Sequence, residues 1–157
     1  MNIRKNRIIY GILFLLIATF AYSNGTLKSG TVSFVNDEKL YVEIADTEDL
    51  RAYGLMQRAS LDENAGMLFV YPDQEIRGVW MKNTLLALDV LFLSESGKIV
   101  SMLRNLQPCR QSPCSIYSSQ YKARYMLEVN AGFIDKHGIK IGQDVMLDYK
   151  RTPRNTD

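Results

Sequence analysis

Apolar and polar residues alternate in short runs along most of the chain, the period-two pattern of strands with one buried face. Residues 40–45 show it most simply: Leu40, Val42 and Ile44 alternate with Tyr41 and Glu43. Together with residues 31–35 they predict a hairpin that turns at Asn36-Asp37. Further strands are predicted over 67–71, 76–82, 86–93 and 98–106, the third of these being the most apolar. Residues 123–130 place Tyr125, Leu127 and Val129 on one side, and residues 144–149 alternate again. Helical stretches are few. Thr47 can cap a helix reaching about residue 56, with Glu48 and Asp49 at the positive end of its dipole. A second helix, 131–137, should stop at Gly138. Segment 107–119, with Pro108 and Pro113, reads as a loop.

The pattern predicts a mainly β (α+β) domain over residues 31–149: a curved, mainly antiparallel sheet or small β-barrel of seven or eight strands with two short helices. Residues 24–30 read as a linker and 150–157 as a polar, flexible tail. There is no internal repeat and no second core.

The N-terminus has a different pattern. Residues 1–7 carry Arg4, Lys5 and Arg7 and no acid, residues 8–20 are nearly all apolar, and Ala21-Tyr22-Ser23 supplies small residues at a cleavage position. This is the order of a secretory signal peptide, so export to the periplasm or beyond is expected. The alternative is an inner-membrane anchor over residues 8–22, the one route by which a membrane would be a partner. As a helix it would reach only ~22 Å against a hydrocarbon core of ~30 Å.

Charge then changes its meaning. The whole chain has 19 basic and 17 acidic residues; removing 1–23 leaves 16 against 17, a formal charge of −1. The basic excess belongs to the leader, and no basic stripe remains to suggest nucleic acid. At 157 residues, 46% of them hydrophobic, the chain is one ordinary globular unit that needs no metal or cofactor to fold. One histidine, His137, and two cysteines leave little for a zinc site of the usual kind. No Gly-x-Ser-x-Gly elbow, phosphate-binding glycine loop or His-Glu-x-x-His pair occurs.

From Arg51 to Asp144 the sequence resembles the domain of unknown function 192 family, small bacterial and archaeal proteins that are often exported. The matching runs are Arg51-Ala52-Tyr53-Gly54-Leu55-Met56-Gln57-Arg58, Gly66-Met67-Leu68-Phe69, Trp80-Met81-Lys82-Asn83-Thr84 with Leu88-Asp89, Leu127-Glu128 with Ala131-Gly132, and Gly142-Gln143-Asp144. The resemblance implies one compact β-rich domain and carries no established activity.

Several residues are candidates for a ligand pocket. Asp89 lies in a strand whose two faces are both apolar, and an unpaired buried charge costs several kcal/mol. It therefore either accepts backbone N–H bonds from the 82–84 turn or faces a ligand. Arg51, in the first helix, is its candidate partner through two parallel charge-assisted bonds, or else is solvated. Trp80 can stack on a sugar face, with Lys82, Asn83 and Thr84 beside it as hydrogen-bonding groups. Alternation puts Trp80 and Lys82 on one side and Met81 and Asn83 on the other, so one face cannot use them all. The plain alternative is a core tryptophan followed by a turn. Glu128 shares the polar side of its strand with Arg124 and Asn130 and reads as exposed, though it remains a pocket candidate. His137, in the last helical turn, reads as a dipole-complementing cation. Cys109 and Cys114 are separated by four residues and should form a local disulfide in an oxidising compartment.

The leading expectation is a non-catalytic, exported binding or accessory module. Its ligand would be small and polar or carbohydrate-like, or a segment of an envelope protein. The alternative is an enzyme acting on envelope material with Asp89 as acid or base and Arg51 stabilising an anion. A purely structural or assembly role comes third. A site with one titratable group amid aromatic surface would favour binding; two in hydrogen-bond reach would favour catalysis.

Overall fold

The computed structural model describes residues 27–150. The predicted leader (1–23) and the tail beyond residue 150 lie outside the described residues. Strands β1 (Ser29–Phe34) and β2 (Lys39–Ala45) form the predicted hairpin, with Asp37 at a φ of 64° in the turn. Helix α1 (Glu48–Tyr53) starts where Thr47 Oγ1 accepts from the Leu50 N–H at 3.3 Å. It ends earlier than the pattern suggests, because Gly54 takes a φ of 53° and leaves the helical path. Strand β3 (Ala65–Glu75) continues through Pro72-Asp73, and β4 (Gly78–Trp80) is a short remnant of the predicted strand over 76–82.

Strands β5 (Leu88–Leu93), β6 (Ile99–Leu106), β8 (Ala123–Asn130) and β9 (Val145–Tyr149) follow the pattern closely. Helix α2 (Phe133–Lys136) is shorter than expected. Strand β7 (Ile116–Ser118) falls inside the predicted loop and pairs only with β4.

The main sheet has seven strands in the order β6-β5-β8-β3-β2-β1-β9. Its neighbours are antiparallel except β2 and β3, which run parallel because α1 carries the chain across between them. The sheet curls until an isolated bridge, Lys98↔Asp144, joins the starts of its outer strands, but no ladder closes it. The curved sheet is what forms; the barrel is not.

The two faces of this sheet hold separate cores, where the sequence pattern showed no second one. Leu68, Leu91, Leu127 and Val129 point to the side covered by Phe133 and Ile134 of α2. Met67, Phe69, Val90 and Met126 point to the other, covered by Leu50 and Leu55 of the α1 region and by Val79 and Met81 from the β4 region. All six residues of β5 are buried, as a strand covered on both faces requires. Any site built on the sheet must therefore belong to one face or the other.

Candidate functional site

Asp89 and Glu128 sit on adjacent strands but leave opposite faces. In the β5–β8 register Val90 lies opposite Glu128 and Asp89 lies opposite Val129. Directly opposed residues share a face and neighbours along a strand alternate. Asp89 thus enters the α2 side. Its Oδ1 accepts from the Asn105 N–H at 2.8 Å and its Oδ2 from the Ile134 N–H at 2.9 Å. It is the structural acid the sequence allowed for, with different donors: Asn105 and Ile134 instead of the 82–84 turn.

The expected Arg51–Asp89 pair does not form, because the sheet lies between them. Arg51 is on the α1 side, where its Nη1 donates to the Val70 carbonyl at 2.9 Å and its guanidinium lies 5.2 Å from the Tyr71 ring centre.

Glu128 is the carboxyl that reaches a cleft, and it is buried, contrary to the reading of its strand side as polar. The cleft lies between α1 with its following turn, β3, β4 and β8. Arg51, Trp80, Thr84 and Glu128 all line it, joined by Gly54 and Tyr71. Its free volume is about 70 Å³, room for a few waters or one small polar group. Among the described residues no hydrogen bond or ion pair reaches the Glu128 carboxyl. Burial pushes its pKa from 4.5 to about 8, because the charged form loses its water. The group is therefore mostly protonated at neutral pH, a hydrogen-bond donor as well as an acceptor.

Local sequence explains how the walls approach this carboxyl. At Gly54 an added Cβ would lie 3.1 Å from Phe69 Cζ and 3.8 Å from Glu128 Oε2, at a backbone angle side chains rarely adopt. Glycine thus ends the helix and lets its backbone close over the site. Tyr71 forms part of the wall; burial raises its phenol pKa, against the pull of Arg77 and Arg51. Arg77 lies 4.0 Å from the Tyr71 ring centre and is itself paired with Asp73.

From Trp80 onward the alternation holds only as far as Lys82, and Asn83 leaves it in a turn instead of sharing the side of Met81. Trp80 is 40% exposed at the cleft and Met81 is buried. Lys82 Nζ lies 5.0 Å from the Trp80 ring centre, outside the cleft lining. Asn83 is exposed in the turn at a φ of 54°, with its carbonyl accepting from the Gln57 N–H at 2.9 Å. Thr84 is buried against the cleft. Of the candidates, then, Arg51, Trp80, Thr84 and Glu128 come together; Lys82 flanks them, and Asn83 and Asp89 stand apart.

Cys109 and Cys114 are bonded, S–S 2.05 Å. Their loop supports the cleft wall: the Cys109 N–H donates to the Met81 carbonyl at 2.9 Å, and the Asn83 N–H to the Cys109 carbonyl at 3.3 Å. His137 pairs with Glu38 at 3.0 Å and is not part of the cleft lining. Among the described residues no group of three or more His, Cys, Asp or Glu could hold a metal.

A crystal structure of a proposed transcription regulator from Sinorhizobium meliloti 1021 is similar to this chain, with 30% identity and a TM-score of 0.71 over 77% of this chain and 95% of that one. A protein of unknown function from Novosphingobium aromaticivorans DSM 12444 is similar at 27% identity and a TM-score of 0.66, over 75% of this chain and 83% of that one. No curated protein matches. The profile of the domain of unknown function 192 (DUF192) family, described as an uncharacterized ACR, matches residues 31–147. With most of the chain covered by that match, the protein belongs to the DUF192 family.

Proposed function

We propose that the protein is an exported binding module of the cell envelope. Its cleft takes the polar end of a small, carbohydrate-like ligand. Glu128 bonds that end, and Trp80 bears the flat side of the ligand body outside. The observation that carries this reading is a buried carboxyl at a cleft wall with no partner among the described residues. Such a group is satisfied only from the cleft, by water or by a ligand hydroxyl or carbonyl that displaces it. The aromatic surface around it, Tyr53, Tyr71 and Trp80, suits the apolar side of a sugar.

Export is supported by the leader-like pattern of residues 1–23 and by the Cys109–Cys114 disulfide. Among the described residues no helix is long and apolar enough to cross a membrane.

One observation favours an enzyme instead: a carboxyl titrating near 8 is well matched to proton donation at neutral pH. Yet Glu128 is the one carboxyl in the lining, which holds no histidine or cysteine to act with it. One titratable carboxyl amid aromatic surface favours binding. A thermal-shift screen of envelope sugars, peptides and nucleotides tests the proposal, since ligands of the folded state raise the midpoint. A raised midpoint that Glu128→Ala and Trp80→Ala both abolish is expected. Midpoint shifts that survive both substitutions would place the ligand elsewhere and overturn it.

A further inference from the structure

We infer that the ligand group admitted to the cleft is a carboxylate, bonded by the Glu128 carboxyl with Arg51 and Lys82 near the mouth, so that the ligand class is an acidic sugar. This rests on the binding-module reading above and narrows it. The first observation is the charge of the lining. It contains one cation, Arg51, and one carboxyl, Glu128, and among the described residues neither is in an ion pair. Burial keeps the carboxyl protonated at neutral pH, so the lining is net positive there. Lys82, also without an ion pair among the described residues, adds a second cation against Trp80.

The second observation concerns the aromatic faces. An ammonium ligand would seek the rings of Tyr71 and Trp80. Both already carry cations, Arg51 and Arg77 on the first and Lys82 on the second. A further positive charge would meet repulsion. A carboxylate would instead receive a charge-assisted O–H···O bond from Glu128, stronger than its neutral equivalent. The third is size. About 70 Å³ accommodates a carboxylate but not a pyranose ring. The ring would stay outside, against Trp80 and Tyr53, which are 40% and 54% exposed.

The pH dependence follows from the groups around Glu128. Arg51 and Tyr53 face it from the α1 side and Tyr71 from β3, with Arg77 behind that ring. The cross-strand neighbours Met67 and Val90 do not titrate, and β4 presents Gly78, Val79 and Trp80. Binding of a carboxylate needs the proton on Glu128. Affinity should be flat below the Glu128 pKa and fall above it as two carboxylates come to face each other.

Trp80 is the one tryptophan in the chain, so intrinsic fluorescence reports on the cleft directly. The full-length protein is titrated with glucuronate, glucose and glucosamine near pH 6.5 and near pH 9. Glucuronate should bind about tenfold or more tighter than the other two at the lower pH and weaken about tenfold at the higher. Glu128→Gln keeps an N–H donor and should bind glucuronate without that pH break. If glucose or glucosamine binds as well as glucuronate, the carboxylate class is wrong and the pocket reading stands. If glucuronate affinity is the same at both pH values in the wild type, Glu128 does not supply the bond. If none of the three alters Trp80 emission, the inference and the carbohydrate reading fall together.

Discussion

Asp89 accepts from the Asn105 and Ile134 N–H groups, whereas Glu128, one residue before Asp89's cross-strand partner Val129 and so on the opposite face, accepts from nothing among the described residues. The two carboxyls should therefore respond oppositely to substitution. Asp89→Ala strands two backbone donors and should destabilise by about 2–5 kcal/mol, with Asp89→Asn costing less because one acceptor survives. Chemical denaturation of both variants checks this, and wild-type stability in Asp89→Ala would show that the amides find other partners. For Glu128 the proton count decides the sign. Its pKa is 4.5 when solvated and about 8 when folded, so between those values the native state holds a proton the unfolded chain has released. Stability from this group is present below about pH 4.5, declines as pH rises, and is lost by about pH 8. Glu128→Gln should match the wild type near pH 5 and exceed it by a few kcal/mol near pH 9. Parallel stability curves for the two proteins would contradict burial of a titrating group. The sequence made both acids visible but not their faces: Asp89 sits in an entirely apolar strand, and Glu128 beside Arg124 and Asn130 looked solvated. A central strand covered on both sides hides its polar residues as well as its apolar ones.

The elements that shape the cleft are the end of α1 and the β4–β7 ribbon, and each depends on a local device. Gly54 ends the helix at positive φ and lies close to both Phe69 and Glu128. Gly54→Ala should destabilise by about 1–2 kcal/mol through backbone strain, and should weaken ligand binding by narrowing the cleft. Unchanged thermal stability would show that the position tolerates a side chain. The disulfide closes a loop of six residues counting both cysteines, for which the chain-entropy gain is about 2 kcal/mol. Because Cys109 is hydrogen-bonded to Met81 and Asn83, its removal should loosen the cleft wall while leaving the main sheet intact. Hydrogen exchange of Cys109→Ser/Cys114→Ser should show faster exchange at residues 81–83 and 109, with β5 and β8 unchanged. Global unfolding would assign the bridge a larger role. Alternation located the central strands, where periodicity and burial agree. It missed β7 because Ile116–Ser118 pairs only with a three-residue partner, leaving too short a run to read.

At the scale of the whole molecule, a curled seven-stranded sheet separates two cores, and one face carries both the cleft and its cations. Sequence pattern anticipated the mainly β class and the curvature, but the one parallel pair and the strand order come from contacts far apart in the chain. The same separation explains the site: four candidates converge on the α1 side, while Asp89 serves to tie β5 to β6 and α2 on the other. The family match places the chain in the DUF192 family, and the two solved structures are similar to it in fold, so a cleft built on the sheet's central strands can be sought in them as well. The chemistry of the cleft turns on the state of one carboxyl. Selective ¹³C labelling of glutamate lets NMR follow the Glu128 side-chain carboxyl through a pH titration, with Glu128→Gln identifying its resonance. A midpoint near 8 is expected, whereas a midpoint near the ordinary value of 4.5 would mean a solvated or paired group and contradict the site.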